Sequence, residues 1–204
     1  MVKFHLIRVG LMGVNCVILS DEYKEATIID PGSDYRRIDE YLTAEGLTPL
    51  RILCTHGHFD HVGAAFDLKD KYHIPLYIHP SDGDKLKSAV AAAEYYGIRG
   101  IKNTSAEEYF EDGDEFGEIS VIHTPGHSEG SVSFYLKETG LLLAGDTLFK
   151  EGVGRADFPD SNPQALMFSI QQKLYTLPDN TVVIPGHGEF TSIGNEKSHN
   201  PYVR

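Results

Sequence analysis

The sequence has few cysteines and few basic residues, and each shortage excludes certain kinds of protein. Cys16 and Cys54 are the only cysteines among 204 residues, which excludes a disulfide framework. Cys54 lies in an apolar run, where we expect a buried and unreactive thiol. Eighteen Lys and Arg against 30 Asp and Glu give a formal net charge of −12. An extended surface for nucleic acid or anionic lipid is therefore not expected.

Long apolar runs are also missing. No segment approaches the ~18 consecutive apolar residues of a membrane span, and the first ten residues lack the apolar core of a signal peptide. We therefore expect a cytoplasmic protein without a membrane partner. No linker or low-complexity segment divides the chain, so residues 1–204 are predicted to form one domain with a substantial core.

Apolar periodicity predicts strands that alternate with helices in the first half and a group of strands in mid-chain. Predicted helices cover 35–46, which ends on Gly46, then 60–72, the less regular 81–104, and 162–177 with Pro163 in its first turn. Predicted strands cover 15–20, 25–30, 50–55, 74–79, 119–124, 131–136, 140–146 and 181–185. This order indicates an α/β protein with layered sheets.

Four of the predicted strands end on side chains that divalent metals prefer. The stretch LCTHGHFDHVG (53–63) is followed later by TPGHSEGS, AGDT and IPGHG. The candidate ligands in these stretches are His56, His58, Asp60, His61, His127, Asp146 and His187. His56 and His58 alternate by two and so point to one side of an extended backbone, whereas Asp60 and His61 can turn towards a second ion. Seven ligands suit two adjacent metals.

The segments THGHFDH, TPGHSEGS, AGDTLF and IPGHG resemble, in order, the metal motifs of the metallo-β-lactamase superfamily. The resemblance implies the four-layer αββα sandwich of that superfamily. It also implies two divalent ions, zinc in the first place and iron or manganese as alternatives. The implied ligands are His56, His58 and His127 for the first metal, and Asp60, His61 and His187 for the second, with Asp146 bridging both.

Asp30, in IIDPGSD, resembles the superfamily aspartate that hydrogen-bonds a ligand histidine on the side away from the metal. The alternative is a turn-forming residue before Pro31. Asp60 would act both as a ligand and as the catalytic residue that orients a hydroxide. Two metals that share a water lower its pKa and supply that hydroxide, so no Ser or Cys nucleophile is needed, and no G-x-S-x-G elbow occurs.

The stretch GDTLFKEGVGRADFPD (145–160) is most similar to the glyoxalase II branch, the hydroxyacylglutathione hydrolases. This resemblance predicts a small-molecule thioester substrate such as S-lactoylglutathione. Arg155 would receive a substrate carboxylate bidentately, and its alternative is an ion pair with Asp157 or Asp160. Asp157 stands where that branch has a tyrosine, and the chain ends 17 residues after His187, without the expected C-terminal helical domain. The thiol carrier therefore stays open among glutathione, bacillithiol, coenzyme A and others.

Three alternatives accompany this prediction. Secreted β-lactamases usually have Cys or no bridging carboxylate at the position of Asp146, which makes them less favoured. GVGRADF is also similar to the persulfide dioxygenases, whose single iron would use His56, His127 and Asp146. A structural metal clamp in a binding module is the third alternative, although structural zinc sites are usually rich in cysteine. The sequence carries no signal of oligomeric state.

Overall fold

The computed structural model describes residues 2–203, which form two compact units. The first unit comprises residues 2–78 and 82–109, and the second comprises 79–81 and 110–203. Each unit contains its own six-stranded sheet. The single domain expected over residues 1–204 stays a prediction.

A mixed sheet with strand order β1-β2-β3-β4-β5-β6 forms the first unit. Its strands are β1 (Lys3–Val9), β2 (Val14–Ser20), β3 (Glu25–Ile29), β4 (Thr48–Leu53), β5 (Leu76–Ile78) and β6 (Glu108–Tyr109). The first three pair antiparallel, and β3 to β6 pair parallel. Its helices are α1 (Tyr35–Glu45), α2 (Phe59–Val62), α3 (Ala65–Tyr72) and α4 (Gly83–Tyr95).

The parallel strands of this unit need crossover connections, and α1 is the first of them. Ile38 and Leu42 are fully buried one turn apart and attach α1 to the core of the unit. The helix ends at Gly46, whose φ of 64° lets its N–H reach the carbonyls of Leu42 and Thr43. Cys16 and Cys54 lie in the same core with no exposed surface, so the expected burial of Cys54 is confirmed.

The second unit has a sheet with strand order β14-β13-β10-β9-β8-β7. Its strands are β7 (Glu115–Phe116), β8 (Ile119–His123), β9 (Val132–Leu136), β10 (Leu141–Gly145), β13 (Val182–Pro185) and β14 (Thr191–Ser192), and β11 (Leu148–Phe149) with β12 (Gly152–Val153) forms a separate ribbon. Only β10 and β13 pair parallel within this sheet, which brings the carboxyl ends of both strands to one edge. The helices are α5 (Pro163–Phe168), which continues as π and 3₁₀ turns to Thr176, and α6 (Ile193–His199).

Several predicted boundaries are wrong for local reasons. The helix expected over 60–72 is two helices, and the helix expected over 81–104 ends at Tyr95, just before Gly97 at φ 73°. Strand β1 was not predicted because its first three residues are exposed and two of them, Lys3 and His5, are polar. Helix α6 was missed because it is short and buries only Ile193 and Glu196.

None of the helices described between residues 2 and 203 has the length and apolar character that crossing a bilayer would require.

Candidate metal centre

The first group of predicted ligands lies where β4 ends and α2 begins, in the first unit. His56 and His61 are buried, whereas His58 and Asp60 are partly exposed. The ring centroid of His56 is 4.7 Å from that of His58 and 4.2 Å from that of His61. The Nε2 atom of His61 is 3.9 Å from a carboxylate oxygen of Asp60. The four side chains therefore lie close together, and the assignment of His56 and His58 to one ion and of Asp60 and His61 to another stays a prediction.

Asp30 accepts the hydrogen bonds that orient part of this cluster. Its buried carboxylate accepts a hydrogen bond from Nδ1 of His61 at 2.9 Å. It also accepts the backbone N–H of Thr55 at 2.7 Å and the Thr55 hydroxyl at 2.6 Å. Asp30 has a φ of 48° immediately before Pro31 as well, so both roles considered from the sequence describe its position. Its function towards a metal stays a prediction.

The Thr55 hydroxyl links Asp30 to a second histidine by hydrogen bonds. Since the Thr55 hydroxyl gives its one proton to Asp30, it can only accept at its 3.1 Å contact with Nδ1 of His56. His56 and His61 therefore both carry their proton on Nδ1, and Nε2 is the basic nitrogen of each ring. Neutral imidazole with Nδ1 hydrogen-bonded in this way is the usual state of a metal-ligating histidine.

The backbone between His56 and His58 is held by another buried acid that the sequence did not reveal. Asp82, with no exposed surface, accepts the backbone N–H of Gly57 at 2.8 Å. The ammonium of Lys85 lies 2.6 Å from the other oxygen of the same carboxylate and compensates its buried charge. Asp82 lies in the turn immediately before α4, 25 residues beyond Gly57 along the chain, so no local motif could have identified it.

The second group of predicted ligands lies in the second unit, beyond β8, β10 and β13. Asp146 is at the centre of this group: its Oδ2 atom is 3.6 Å from Nε2 of His127 and 3.6 Å from Nε2 of His187. The parallel pairing of β10 with β13 accounts for the approach of Asp146 and His187, because Gly186 donates its N–H to the carbonyl of Gly145 at 2.7 Å. Two ligands that each lie ~2.1 Å from a zinc ion at the tetrahedral angle are ~3.4 Å apart, so this spacing fits a shared ion.

The protonation of His127 is fixed by its own unit. Nδ1 of His127 lies 2.8 Å from the backbone carbonyl of Arg155, which can only accept, so Nδ1 carries the proton. Nε2, the atom nearest to Asp146, is then the basic nitrogen. The loop itself is tied by Ser161, whose hydroxyl donates to the carbonyl of His127 at 2.7 Å. Three of the predicted histidine ligands thus present the same nitrogen for the same reason.

The side chain of Arg155 follows the alternative considered from the sequence. Its Nε and terminal nitrogens donate to both carboxylate oxygens of Asp157, at 2.9 and 3.0 Å. Its guanidinium also lies 4.4 Å above the ring centre of Phe158. Contact of Arg155 with a substrate stays a prediction.

Two glycines outside the four metal motifs bring the backbone close to the two aspartate ligands. A Cβ atom at Gly32 would lie 1.8 Å from the carbonyl oxygen of Asp60, and one at Gly154 would lie 1.8 Å from the carbonyl oxygen of Asp146. No side chain fits at either distance. Gly32 and Gly154 therefore belong to the supports of the two ligand groups, one in each unit.

The comparison with family models gives one result over most of the chain. The metallo-beta-lactamase superfamily model matches residues 9–187. The chain belongs to the metallo-β-lactamase superfamily. It is thus a member of a superfamily of metallo-hydrolases with a candidate metal site of His and Asp residues. The implied fold class is confirmed as well, since solved structures of this fold, an α/β sandwich, match almost the whole chain.

Among curated proteins, the chain is 39% identical over 213 residues to the probable metallo-hydrolase YqgX of Bacillus subtilis (strain 168), covering 98% of this chain and 97% of the relative. It is 33% identical over 207 residues to the hydroxyacylglutathione hydrolase GloC of Haemophilus influenzae, covering 98% of both. The superfamily predicted from the four motifs is therefore confirmed, and one of these two relatives has the name of the predicted branch.

Among solved structures, the chain matches the B3 metallo-beta-lactamase BLEG-1 with a TM-score of 0.92 at 38% identity, covering 98% and 99% of the two chains. It matches TTHA1623, solved in a di-iron-bound form, with a TM-score of 0.92 at 36% identity, covering 98% and 100%. ETHE1 from Myxococcus xanthus matches with a TM-score of 0.82 at 28% identity, covering 98% and 83%.

Proposed function

We propose that this protein is a metal-dependent hydrolase of thioesters of the hydroxyacylglutathione type. The observation that carries the proposal is the position of Asp146, whose Oδ2 atom is 3.6 Å from Nε2 of both His127 and His187. A carboxylate in that position can be shared by two ions, as hydrolytic two-metal sites require. The likeness to GloC, over 98% of both chains, supports the thioester as substrate.

The proposed ligands are the seven predicted residues. In this proposal His56, His58 and His127 hold one ion, Asp60, His61 and His187 hold the other, and Asp146 is shared. The donor set of imidazole and carboxylate suits zinc, iron or manganese, and we place zinc first because Nε2 donors and carboxylates are common at catalytic zinc. TTHA1623, which is similar over 98% of this chain, was solved with two irons, which supports two ions here.

The bound ions would supply a hydroxide at neutral pH and polarise the thioester carbonyl. Asp60 would orient the attacking oxygen by accepting its hydrogen, since its carboxylate is partly exposed and next to Nε2 of His61. Asp30 would hold the proton of His61 on Nδ1 by a direct hydrogen bond, which leaves Nε2 to bind a metal. It would do the same for His56 through the Thr55 hydroxyl. The leaving thiol, with a pKa of ~8.5, can depart as a thiolate, so the proposal assigns no residue to its protonation.

The test measures thiol release from S-lactoylglutathione by the metal-loaded protein, together with metal content per chain. We expect turnover with two ions per chain. Asp60→Asn and Asp146→Asn should each lower kcat roughly 10²–10⁴-fold. Asp179→Asn is the matched control, because Asp179 is an exposed carboxylate that pairs with Lys197 on the surface.

Two further substrates decide between the branches. The likeness to BLEG-1 favours a trial of β-lactam hydrolysis, measured with a chromogenic cephalosporin. Oxygen uptake with glutathione persulfide tests the dioxygenase alternative. One iron per chain with oxygen consumption and no thiol release would overturn the proposal, as would β-lactam turnover that exceeds thioester turnover. The cytoplasmic location and the absence of nucleic-acid and membrane partners stay predictions.

A further inference from the structure

We infer that Arg99 and Arg36 form the receptor for the negatively charged end of the thiol carrier, at the far end of a groove that begins at Asp60. This inference rests on the proposed thioester hydrolysis and goes beyond it, because it assigns the carrier to a chemical class. It also replaces Arg155, the residue expected from the sequence, as the main anion receptor.

The groove begins as a cavity of about 310 Å³ in the first unit. Its walls include Asp60, the proposed catalytic carboxylate, and Arg99. Most of the remaining wall is uncharged, with Met12, Phe59 and Ile98 among its apolar side chains. A molecule that occupies this cavity with its reacting group at Asp60 would therefore meet a mostly uncharged wall in which Arg99 is the basic residue.

A second cavity, of about 250 Å³, lies beside the first. The two share Ser33, Asp34, Arg99 and Ile101 in their walls. The second adds the basic side chains Arg36 and Arg37. Arg99 thus stands where the groove passes from its uncharged part to a part lined by three arginines.

Most basic side chains of this acidic chain are already engaged. Ion pairs of 4 Å or less bind Lys69, Lys71, Lys85, Lys87, Lys102, Lys150, Lys173, Lys197, Arg37 and Arg155 to carboxylates. Arg36 and Arg99 are exposed and make no side-chain hydrogen bond or ion pair within residues 2–203. Two arginines that line one groove thus keep their guanidinium groups available for an external anion.

The acids in the same walls do not cancel this charge. Asp34 accepts the backbone N–H of Gly10 at 2.9 Å and lies 3.7 Å from Arg37, and Asp67 pairs with Lys102 at 2.6 Å. Each of these carboxylates is already matched within the unit. The uncompensated charge of the second cavity is therefore positive.

The apolar part of the groove is also open to cover by a ligand. Met12, in the turn between β1 and β2, is 46% exposed, and Phe59, which lines the same cavity, stacks on Tyr96 with ring centroids 5.5 Å apart. Guanidinium groups bind carboxylate and phosphate bidentately. The geometry therefore points to a carrier with an uncharged middle and an anionic end, which is either a peptide carboxylate or a phosphate.

The test compares three thioesters of the same acyl group. S-lactoylglutathione carries carboxylates, lactoyl-coenzyme A carries phosphates, and S-lactoyl-N-acetylcysteamine carries no charge. In the double variant R36Q/R99Q we expect KM for the anionic substrate to rise roughly 10–100-fold, with kcat changed less than about twofold. KM for the neutral thioester should stay within about twofold. The anionic substrate that responds identifies carboxylate or phosphate as the bound group.

Lys137→Gln is the matched control, because Lys137 is also exposed and without an ion pair in the described chain, and its loss changes the net charge equally per residue. We expect no change in KM for any of the three substrates. Arg99→Lys should keep part of the affinity that R36Q/R99Q loses, since lysine keeps the positive charge but not the bidentate guanidinium.

The outcomes separate this inference from the proposed function. If the wild type hydrolyses thioesters and R36Q/R99Q changes KM for none of them, or for the neutral one equally, the inference is wrong and the proposed function stands. If the wild type hydrolyses no thioester, the proposed function is wrong. Calorimetric binding of free coenzyme A and glutathione to wild type and R36Q/R99Q then decides the receptor: affinity lost in the variant supports it, and no binding or equal binding overturns it.

Discussion

At the scale of single residues, a few hydrogen bonds determine which nitrogen each candidate ligand presents. Asp30 accepts a hydrogen bond from Nδ1 of His61, and the Thr55 hydroxyl, which donates to Asp30, accepts one from Nδ1 of His56. The carbonyl of Arg155 performs the same task for His127. These supports come from a carboxylate, a hydroxyl and a backbone carbonyl, so no shared residue type marks them in the sequence.

Thr55→Val tests the contribution of one such support. Valine keeps the shape of threonine but cannot link His56 to Asp30, so the orientation of the His56 ring should loosen. We expect the affinity for the first bound metal to fall roughly 10–100-fold, the range observed for other groups that orient ligands. Competition with a fluorescent chelator measures it.

Thr48→Val is the control for this substitution, because Thr48 is exposed at the start of β4, the strand that precedes Thr55, and its side chain has no hydrogen bond within residues 2–203. Equal metal affinity in both variants would show that the Thr55 hydroxyl does not support the ligand.

The seven predicted ligands were recognisable from the sequence because each is carried by a short motif at a strand end. Arg155 shows the limit of that reasoning. Its position in the motif suggested a substrate carboxylate, but its guanidinium donates both hydrogen bonds to Asp157 two residues away. A guanidinium that already donates to a carboxylate of its own chain is a poorer receptor for a substrate anion than one without such a partner.

At the scale of elements, the strand ends position the ligands and the loops between them set how closely they approach. Gly154 follows the β11–β12 ribbon and lies against the carbonyl of Asp146. Because a Cβ there would be 1.8 Å from that oxygen, a larger residue must displace the backbone of the ligand itself.

Gly154→Ala should therefore lower stability by roughly 1–3 kcal/mol and weaken metal binding as well. Gly152→Ala is a close control, since its new Cβ would meet only ordinary contacts, the nearest at 3.5 Å from Cβ of Phe149. Urea unfolding and metal content of the two variants give the comparison. A Gly154→Ala protein with unchanged stability would contradict the close approach.

Helix boundaries were predictable where local chemistry sets them. Gly46 ends α1 in the left-handed region, and Asn162 caps α5, where its side chain accepts the N–H of Ala165 at 3.0 Å and Pro163 occupies the first turn. The end of α4 was missed although Gly97, at φ 73°, follows it as Gly46 follows α1, because apolar residues continue beyond Tyr95 and suggested a longer helix.

At the scale of the whole molecule, the burial of Cys16 in the core has a measurable consequence for stability. Burial raises the pKa of the Cys16 thiol far above its usual range, and the negative charge of Asp30 adds to the rise. In the unfolded chain the same thiol titrates at ~8.5. A raised folded-state pKa stabilises the folded protein fully below the unfolded value, and this contribution is lost as pH rises above it.

We therefore expect the free energy of unfolding to fall more steeply between pH 7 and pH 9.5 in the wild type than in Cys16→Ala. The difference should be about 1.4 kcal/mol for the one pH unit above ~8.5. Denaturant unfolding at both pH values measures it, with metal content held constant. Parallel pH profiles would show that the Cys16 thiol already titrates in the folded protein.

The sequence by itself determined the superfamily, the α/β class and the identity of the candidate ligands, because strand ends followed by His and Asp are local patterns. Tertiary structure decided the rest. Asp82 reaches Gly57, and Arg36 and Arg99 line one cavity, only through the packing of segments that lie 25 or more residues apart. Hydrogen bonds, charge compensation and close backbone approach depend on such packing, and no spacing along the chain encodes them.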